Sequence, residues 1–357
     1  MLTLGLDKYE DIFRPLLFRL PAETSQNIAE YALRHEWLWR GLGPIATHRD
    51  KQLESEYCGI KLKNPIGLAA GFDKNCEMIP ALANLGFGYL TVGTVTEEPR
   101  AGNTKPRLLR IPEQRAILNA LGFPGTGLVK AAHKLEEVQH LTKSVPIVVS
   151  ISGTTEDQIA RCHRRLEPIC SAIEINISSP NTAGLKVFQQ PDNLTKLLDV
   201  VNKQREHPLA VKLPPFVASN SSDAAAQHES VLALAKACNN AGIDAVTIAN
   251  SLPTKDQRMA VGMGGVSGKP IFNDMLDMVR AIRSEIGTRL SINACGGIFT
   301  GQDADDALSA GDTTVQLYTG KVYRGPWVAN KIGRELSSQM MSRGFRSLDQ
   351  FRIDTTE

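Results

Sequence analysis

The chain has 357 residues, 42% of them hydrophobic and 22% charged, with a formal net charge of +2. This balance does not support a nucleic-acid-binding surface, and no apolar run approaches the roughly 18–20 residues that span a bilayer. The six cysteines are scattered without CxxC pairs, and the histidines show no HExxH or HxxxH spacing. We therefore expect reduced thiols, no metal site and no nucleic-acid partner.

Residues 1–45 form the first predicted unit, a short amphipathic helical hairpin. Each predicted helix has one apolar face, made of Phe13, Leu16, Leu17 and Leu20 before Pro21 and of Ile28, Tyr31, Ala32, His35 and Trp39 after it. The pattern fits a hairpin packed flat on the protein and equally one that contacts a membrane. Because its charges nearly cancel, membrane contact would depend on apolar insertion rather than on attraction to anionic lipid.

Eight short apolar runs follow and alternate with helical patterns. The predicted strands are Pro65–Gly71, Tyr89–Val95, Val145–Ser152, Ala172–Ile177, Leu209–Leu213, Ala245–Ala249, Leu290–Ala294 and Thr314–Tyr318. The predicted helices between them include Thr155–Leu166, Asn193–Asn202, Ala224–Ala241, Asn273–Glu285 and Gln302–Ala310. Apolar runs joined by crossover helices indicate a parallel sheet that is covered on both faces.

Eight strand–helix units in succession favour a closed (β/α)₈ TIM barrel over residues 46–357, an α/β fold with the hairpin appended. An open sheet that binds a dinucleotide would carry a glycine fingerprint, whereas the first strand here runs into GLAAGFDKN. In such a barrel we expect the functional residues at the carboxyl ends of the strands. The long segment 96–144 is predicted to place a loop with Asn119 and Phe123 over the barrel mouth.

Glycines and one lysine near the strand ends predict an anion site. The loops after strands seven and eight commonly bind phosphate through backbone amides, here those of Gly268, Gly296, Gly297 and Gly320, although tight turns alone also require glycine. Lys212 lies in an otherwise apolar strand, where a lysine requires an anionic partner. That partner is either the N1/O2 edge of a flavin or a carboxylate within the barrel.

The segment AIEINISSPNTAGLK, residues 172–186, ends the fourth strand in a polar turn. Amides are the commonest polar groups at the predicted site: Asn119, Asn176, Asn181 and Asn250. They donate and accept hydrogen bonds, which suits a ring with N–H and C=O groups such as a pyrimidine, and Lys74 would bind a carboxylate on the same ligand. Ser179 is the candidate proton acceptor, whereas a turn that merely caps the strand is the alternative.

Six segments carry a family resemblance: NPIGLAAGFDKNCE (64–77), GTVTEEPRAGNTKPRLLR (93–110), NALGF (119–123), NISSPNTAGL (176–185), GGVSGKP (264–270) and VQLYTGKVYRGP (315–326). Together they resemble dihydroorotate dehydrogenase. The serine in the polar turn, where the soluble class has cysteine, and the N-terminal hairpin resemble class 2, the membrane-associated enzymes that use a quinone. The resemblance implies FMN as cofactor, oxidation of dihydroorotate to orotate in pyrimidine biosynthesis, and a quinone as electron acceptor.

The resemblance also implies roles for individual residues. The flavin would contact Ala70, Gly71, Lys74, Thr94, Asn176 and Lys212, with its phosphate on Gly268, Gly297, Tyr318 and Thr319. Dihydroorotate would be held by Lys74, Asn119, Phe123, Asn176, Asn181, Asn250 and Ser251. Ser179 would remove the proton from C5 while C6 delivers hydride to the flavin. A quinone would arrive through a tunnel covered by residues 1–45, near Arg110 and Tyr318.

Some positions differ from the commonest family pattern. Cys76 stands where a glycine is usual and Ala249 where a threonine is usual. Ile151 stands where an asparagine contacts the flavin, unless Ser150 or Ser152 takes that role. The differences at Ala249 and Ile151 concern the hydrogen bonding of the flavin more than the reaction.

We expect a peripheral membrane protein on the cytoplasmic side of a bacterial cell membrane, since the sequence shows no transit peptide. Two other functions stay open from the sequence. One is a soluble-type relative that passes electrons to fumarate or NAD, and the other is a flavin-containing barrel that binds a membrane without catalysis.

Overall fold

The computed structural model describes residues 7–41, 49–178, 184–217 and 224–354. The strands, numbered in chain order, are β1 (Ser55–Tyr57), β2 (Ile60–Leu62), β3 (Ile66–Leu68), β4 (Tyr89–Val95), β5 (Leu108–Ile111), β6 (Ala116–Asn119), β7 (Ile147–Ile151), β8 (Ala172–Asn176), β9 (Leu209–Lys212), β10 (Ala245–Ile248), β11 (Leu252–Lys255), β12 (Met263–Gly268), β13 (Ser291–Cys295) and β14 (Thr314–Leu317). The helices are α1 (Phe13–Phe18), α2 (Ala22–Arg34), α3 (Glu36–Arg40), α4 (Ile79–Leu82), α5 (Leu128–Val138), α6 (Glu156–Leu166), α7 (Pro191–Asn202), α8 (Ala224–Asn240), α9 (Phe272–Ile286), α10 (Gly301–Ser309), α11 (Thr319–Arg324), α12 (Val328–Ser342) and α13 (Leu348–Asp354).

The eight predicted strands form a closed parallel barrel in the order β3, β4, β7, β8, β9, β10, β13 and β14, with β14 pairing back to β3. The predicted TIM barrel is therefore confirmed. These strands are buried on both faces, because side chains alternate between the barrel interior and the surrounding helices. The five predicted helices between them correspond to α6, α7, α8, α9 and α10, with ends that differ by one or two residues.

An antiparallel hairpin, β1–β2, closes the amino-terminal end of the barrel. The Tyr57 ring stacks on the Tyr89 ring with centroids 5.4 Å apart, inside a cluster that also holds small and branched barrel residues. Above this cluster the barrel interior is polar. Tyr89 Oη and Thr314 Oγ1 are 2.7 Å apart, and a chain of hydrogen bonds continues through Asn293 and Thr247 to Glu174.

A second sheet, with the strand order β11, β12, β6 and β5, was not predicted. It joins the long segment after β4 to the segment between β10 and α9, and Asn119 pairs with Gly265 in it. The expected loop over the barrel mouth is therefore largely a pair of strands, of which Asn119 ends one, while Phe123 lies in the loop beyond it. These strands are short and their partners lie far apart in the chain, so local patterns do not reveal them.

The N-terminal helices lie against the second sheet and α11. Arg107 Nε donates to Glu23 Oε1 at 2.9 Å, and Tyr9 Oη donates to the Val322 carbonyl at 2.8 Å. The second predicted helix is in fact two helices, because the chain leaves helical geometry at His35 with φ −94° and ψ 79°. Within the described ranges no helix has both the length and the apolar character required to cross a membrane.

Candidate active site

A cavity of about 1120 Å³, open solvent at its mouth included, lies at the carboxyl ends of the barrel strands. Fourteen predicted site residues line it: Ala70, Gly71, Lys74, Thr94, Asn119, Phe123, Asn176, Lys212, Asn250, Ser251, Gly268, Gly297, Tyr318 and Thr319. Ser179 and Asn181 lie outside the described residues.

A chain of hydrogen bonds positions the amides on one side of the cavity. Asn176 Nδ2 donates to Thr94 Oγ1 at 3.3 Å, and its Oδ1 accepts from the Ser178 hydroxyl at 2.8 Å. Asn250 Nδ2 donates to Ser178 Oγ at 2.9 Å, and Asn250 Oδ1 accepts from the Ser251 amide. Ser178 is thus fully engaged between two asparagines, which leaves it poorly placed to act as the base.

Lys212, at the end of β9, is buried in the barrel and lines the cavity. Its Nζ lies 3.5 Å from Cys295 Sγ. Burial alone lowers the pKa of Lys212, but Cys295 and Glu174 outweigh that effect and hold the pKa above its usual value. Burial raises the pKa of the Cys295 thiol, so the carboxylate of Glu174 is the anion that balances the ammonium.

Lys74 points a second amino group into the cavity from the turn after β3. Among the described residues no acceptor lies within hydrogen-bond distance of its Nζ, and Glu30 on α2 is 3.7 Å away. Burial lowers the pKa of Lys74. The preceding Asp73 has a different task, since its carboxylate accepts from the Glu77 and Met78 amides, and burial raises its pKa to about 6.

The predicted phosphate glycines bring the loops after β12 and β13 into close contact. Gly268 and Gly297 have φ values of 102° and 70°, in the left-handed region that favours glycine. A Cβ at Gly297 would lie 2.6 Å from the Cβ of Phe272, so packing alone requires glycine there. Beside these loops Thr319 Oγ1 is 2.9 Å from Ser267 Oγ.

Arg110 does not line the cavity, and its hydrogen bonds hold the N-terminal helices against β5. Its guanidinium donates to the Leu17 and Leu20 carbonyls and to Ser25 Oγ, and it stacks over the Phe18 ring 4.5 Å from the centroid. Tyr318, the other residue expected near the quinone, lines the cavity, and burial raises the pKa of its hydroxyl.

The comparisons with known proteins agree with this geometry. Residues 52–340 match the family model described as dihydroorotate dehydrogenase. The chain belongs to the dihydroorotate dehydrogenase family. A relative from Chloroflexus aurantiacus, named dihydroorotate dehydrogenase (quinone), is 38% identical over 90% of this chain and 94% of its own. One with the same name from Methylococcus capsulatus is 36% identical over 92% of this chain and 99% of its own.

A solved structure of the family also matches. The dihydroorotate dehydrogenase of Eimeria tenella in complex with ferulenol has a TM-score of 0.80 and 28% identity, over 92% of this chain and 94% of the other. The relatives named for a quinone place this chain in the class 2, quinone-dependent branch of the dihydroorotate dehydrogenases, as the sequence motifs indicate.

The flavin on which dihydroorotate dehydrogenases depend is compatible with the cavity. The cavity contains a buried cation, Lys212, suited to the ring edge that gains negative charge on reduction. It also contains Gln316, whose Oε1 is buried without a hydrogen-bond partner among the described residues. A ligand with ring N–H and C=O groups would satisfy such atoms.

The structure accounts for two of the differences from the family pattern, those at Ile151 and Cys76. Ile151 packs in the core between barrel and helices, so it does not face the flavin. The inward side chain is Ser150, one of the two alternatives expected for this position, and its Oγ lies 3.1 Å from Thr94 Oγ1. Cys76 has φ 60°, a left-handed conformation that explains why glycine is usual there. Ala249 does line the cavity.

Three residues in or near the cavity were missed from the sequence: the buried Glu174 and Lys321, and the half-buried Cys295, which lines the cavity. Glu174 carried a usable signal, because a charged residue interrupts the apolar strand AIEIN. Cys295 comes directly before the paired glycines that drew attention, and a lone cysteine gives no signal. Lys321 lies inside the motif VQLYTGKVYRGP, where the sequence does not show what surrounds it.

Proposed function

We propose that this protein oxidises dihydroorotate to orotate in pyrimidine biosynthesis and passes the electrons through a flavin to a quinone. The observation that carries the proposal is the cavity at the barrel mouth, where Lys74, Lys212, Asn119, Asn176 and Asn250 converge in a chain of this family. The quinone is the acceptor in the printed names of its relatives. The set suits an anionic pyrimidine stacked on a flavin.

FMN is the flavin that we propose for this cavity. Lys212 would bind its pyrimidine edge, with Thr94, Asn176 and the turn Ala70–Lys74 beside the ring. Its phosphate would lie on Gly268, Gly297, Tyr318 and Thr319. When bound, the flavin accepts hydride from the substrate and transfers the electrons onward.

The substrate would bind over this ring. Lys74, with no acceptor at hydrogen-bond distance in the described part, would bind the carboxylate of dihydroorotate. The amides of Asn119, Asn176, Asn181 and Asn250, with the hydroxyl of Ser251, would bind the ring polar groups, and Phe123 would lie beside the ring. Phe123 has φ 56°, a costly conformation for a bulky residue, which supports a functional position. Ser179 would take the proton from C5.

The N-terminal helices would provide the route for the quinone and contact the membrane. Eight of the fourteen large apolar side chains that are exposed in the described part lie between residues 12 and 38, among them Phe13, Leu16 and Trp37. Charges of these helices pair with each other, as in Arg14–Glu10 and Arg40–Glu36, or with the rest of the protein, as in Arg34–Glu77. Such a patch inserts into a membrane through apolar contact rather than through net charge.

Separate measurement of the two half-reactions tests the proposed reaction. Dihydroorotate should bleach the bound flavin without oxygen, and a ubiquinone analogue should reoxidise it much faster than fumarate or NAD does. A preference for fumarate or NAD would overturn the quinone proposal, and a flavin that dihydroorotate does not bleach would favour a non-catalytic barrel. Ser179→Ala should slow bleaching by about 10²–10⁴-fold with FMN still bound. An unchanged rate would remove Ser179 from the mechanism.

Vesicle flotation tests the membrane contact. Wild-type protein should float with vesicles of zwitterionic phosphatidylcholine, which carry no net charge, and Leu16→Glu and Trp37→Glu should each reduce the bound fraction. Val129→Glu is the matched control, because Val129 is also an exposed apolar residue but lies on α5, outside the N-terminal helices. Equal loss in the control would mean that the N-terminal patch is not the membrane-binding surface.

A further inference from the structure

Lys321 is a buried lysine that is not among the residues proposed to bind the flavin, the substrate or the quinone. It lies on α11, directly after the last barrel strand, and only 6% of the residue's surface is exposed. Its Nζ lies 3.7 Å from the centroid of the Phe72 ring, a close cation–π contact. Among the described residues, no carboxylate lies within salt-bridge distance of it.

The position of Lys321 connects the cavity with the N-terminal helices. Its aromatic partner Phe72 follows the cavity residue Gly71 and meets the ring of Tyr318, also a cavity residue, at 5.9 Å. The next two residues of α11 contact the N-terminal helices, through the bond from Tyr9 to Val322 and the edge-to-face contact of Phe18 with Tyr323. Lys321 thus lies between residues that contact the cavity lining and residues that contact the N-terminal helices.

The surroundings of Lys321 do not stabilise a permanent charge. Burial lowers the pKa of its ammonium from 10.5 to about 7. Charged groups on the elements packed against it are engaged elsewhere: Asp73 with the Glu77 and Met78 amides, Lys74 with Glu30, Arg14 and Lys331 with Glu10, and Arg324 with Glu10 and Glu335. A buried amine that can gain and lose a proton near neutral pH is typical of functional sites.

We propose that Lys321 donates a proton to a carbonyl oxygen of the quinone bound between Phe72 and the N-terminal helices. This inference rests on the proposed quinone-dependent function. Reduction of a quinone to the quinol consumes two electrons and two protons. The Lys321 ammonium would supply one proton, and both electrons and the other proton would come from the reduced flavin. The resulting amine would regain a proton from water. The Phe72 ring would stabilise the ammonium until the quinone arrives.

The test uses the intact flavoprotein and its Lys321→Met, Lys321→Gln and Lys321→Arg variants, with Lys134→Met as the matched control at an exposed lysine on α5. Each protein is reduced with dihydroorotate and then mixed anaerobically with a short-chain ubiquinone analogue between pH 5.5 and 9. Parallel reoxidation by ferricyanide, which takes electrons without protons, reports on the flavin alone.

Wild-type reoxidation by the quinone should fall above pH 7, as the donor loses its proton. Lys321→Met should be slower by about 10²-fold at pH 6 and should lose this pH dependence. Lys321→Gln should behave similarly, and Lys321→Arg, which keeps a hydrogen-bond donor with no proton to give near neutrality, should restore quinone affinity without the pH profile. Dihydroorotate reduction and ferricyanide reoxidation should be unchanged throughout.

A second measurement does not depend on turnover. Oxidised quinone binding to the oxidised protein, followed by quenching of tryptophan fluorescence, should weaken with rising pH in the wild type and be independent of pH in Lys321→Met. Quinone reoxidation of that variant at the wild-type rate and pH profile would overturn the proposal. If Lys321→Met does not fold, a wild-type rate of quinone reoxidation that does not change across pH 7 would equally overturn the proposal. Absence of quinone reoxidation in the wild type would instead refute the proposed function.

Discussion

Two buried lysines have different surroundings. Lys212 lines the cavity from the barrel strands, here called the barrel side, and Lys321 lies on α11 next to the residues that contact the N-terminal helices, here called the hairpin side. On the barrel side, Lys212 lies with Cys295 and Glu174, and these neighbours hold its pKa above the usual value despite burial. On the hairpin side, Lys321 lies with Phe72 and Tyr318, and burial brings its pKa down to about 7. Burial is similar at the two sites, so the difference comes from the partner, a carboxylate in one case and an aromatic face in the other.

The two lysines therefore suit different steps of the reaction. A lysine with a permanent charge can bind and stabilise an anion, which the reduced flavin requires. A lysine that titrates near neutral pH can deliver and regain a proton, which quinone reduction requires.

The largest effect is expected from removing the charge on the barrel side. Lys212→Met leaves Glu174 buried without its cation, and we expect a loss of about 3–5 kcal/mol in the free energy of unfolding. Urea denaturation of the flavin-free protein measures it. Combining Lys212→Met with Glu174→Gln should recover much of the loss, because no buried charge remains. A single variant as stable as the wild type would show that the two residues are not electrostatic partners.

On the hairpin side, removing the lysine should raise the free energy of unfolding rather than lower it. The pKa of Lys321 is lower in the folded than in the unfolded chain, so between pH ~7 and ~10 only the unfolded chain binds the proton, and stability rises with pH. Lys321→Met removes this penalty and should stabilise the protein at pH 7 by ~2–4 kcal/mol, below the ~5 kcal/mol of the full pKa shift. The gain should vanish toward pH 10. A gain independent of pH would mean better packing rather than loss of an unfavourable charge.

The sequence predicted the barrel side better than the hairpin side, for physical reasons. The barrel strands are continuous apolar runs buried on both faces, and a lysine or glutamate inside one is visible as an exception. The second sheet is not visible in this way, since Asn119 and its partner Gly265 are 146 residues apart. Lys321 looks like an ordinary helix residue, because only the fold places it against Phe72 rather than a carboxylate. His35 likewise gives no local sign that it divides a helix.

Arg110 offers a way to disturb the hairpin side alone. It donates to Leu17, Leu20 and Ser25, and a hydrogen bond from a charged donor contributes about 1.5–3 kcal/mol. Arg110→Ala should therefore loosen the N-terminal helices and raise the KM for quinone by about 10-fold. Flavin reduction by dihydroorotate should not change. Arg258→Ala, at an exposed arginine paired with Asp256, is the control. Slower reduction in Arg110→Ala would instead assign Arg110 to the substrate side.

The smallest effect is expected at Cys295, and it separates the two partners of Lys212. Burial keeps the thiol protonated, so Cys295 offers Lys212 only a weak sulfur acceptor at 3.5 Å, whereas Glu174 supplies the charge. Cys295→Ala should free the ammonium to interact slightly more with the flavin and raise the two-electron midpoint potential by about 10 mV, equivalent to ~0.5 kcal/mol. Redox titration against a reference dye measures this shift. A fall of the potential by several tens of millivolts would mean that the thiol contacts the flavin directly, and the charge balance of the barrel side would then involve three groups rather than two.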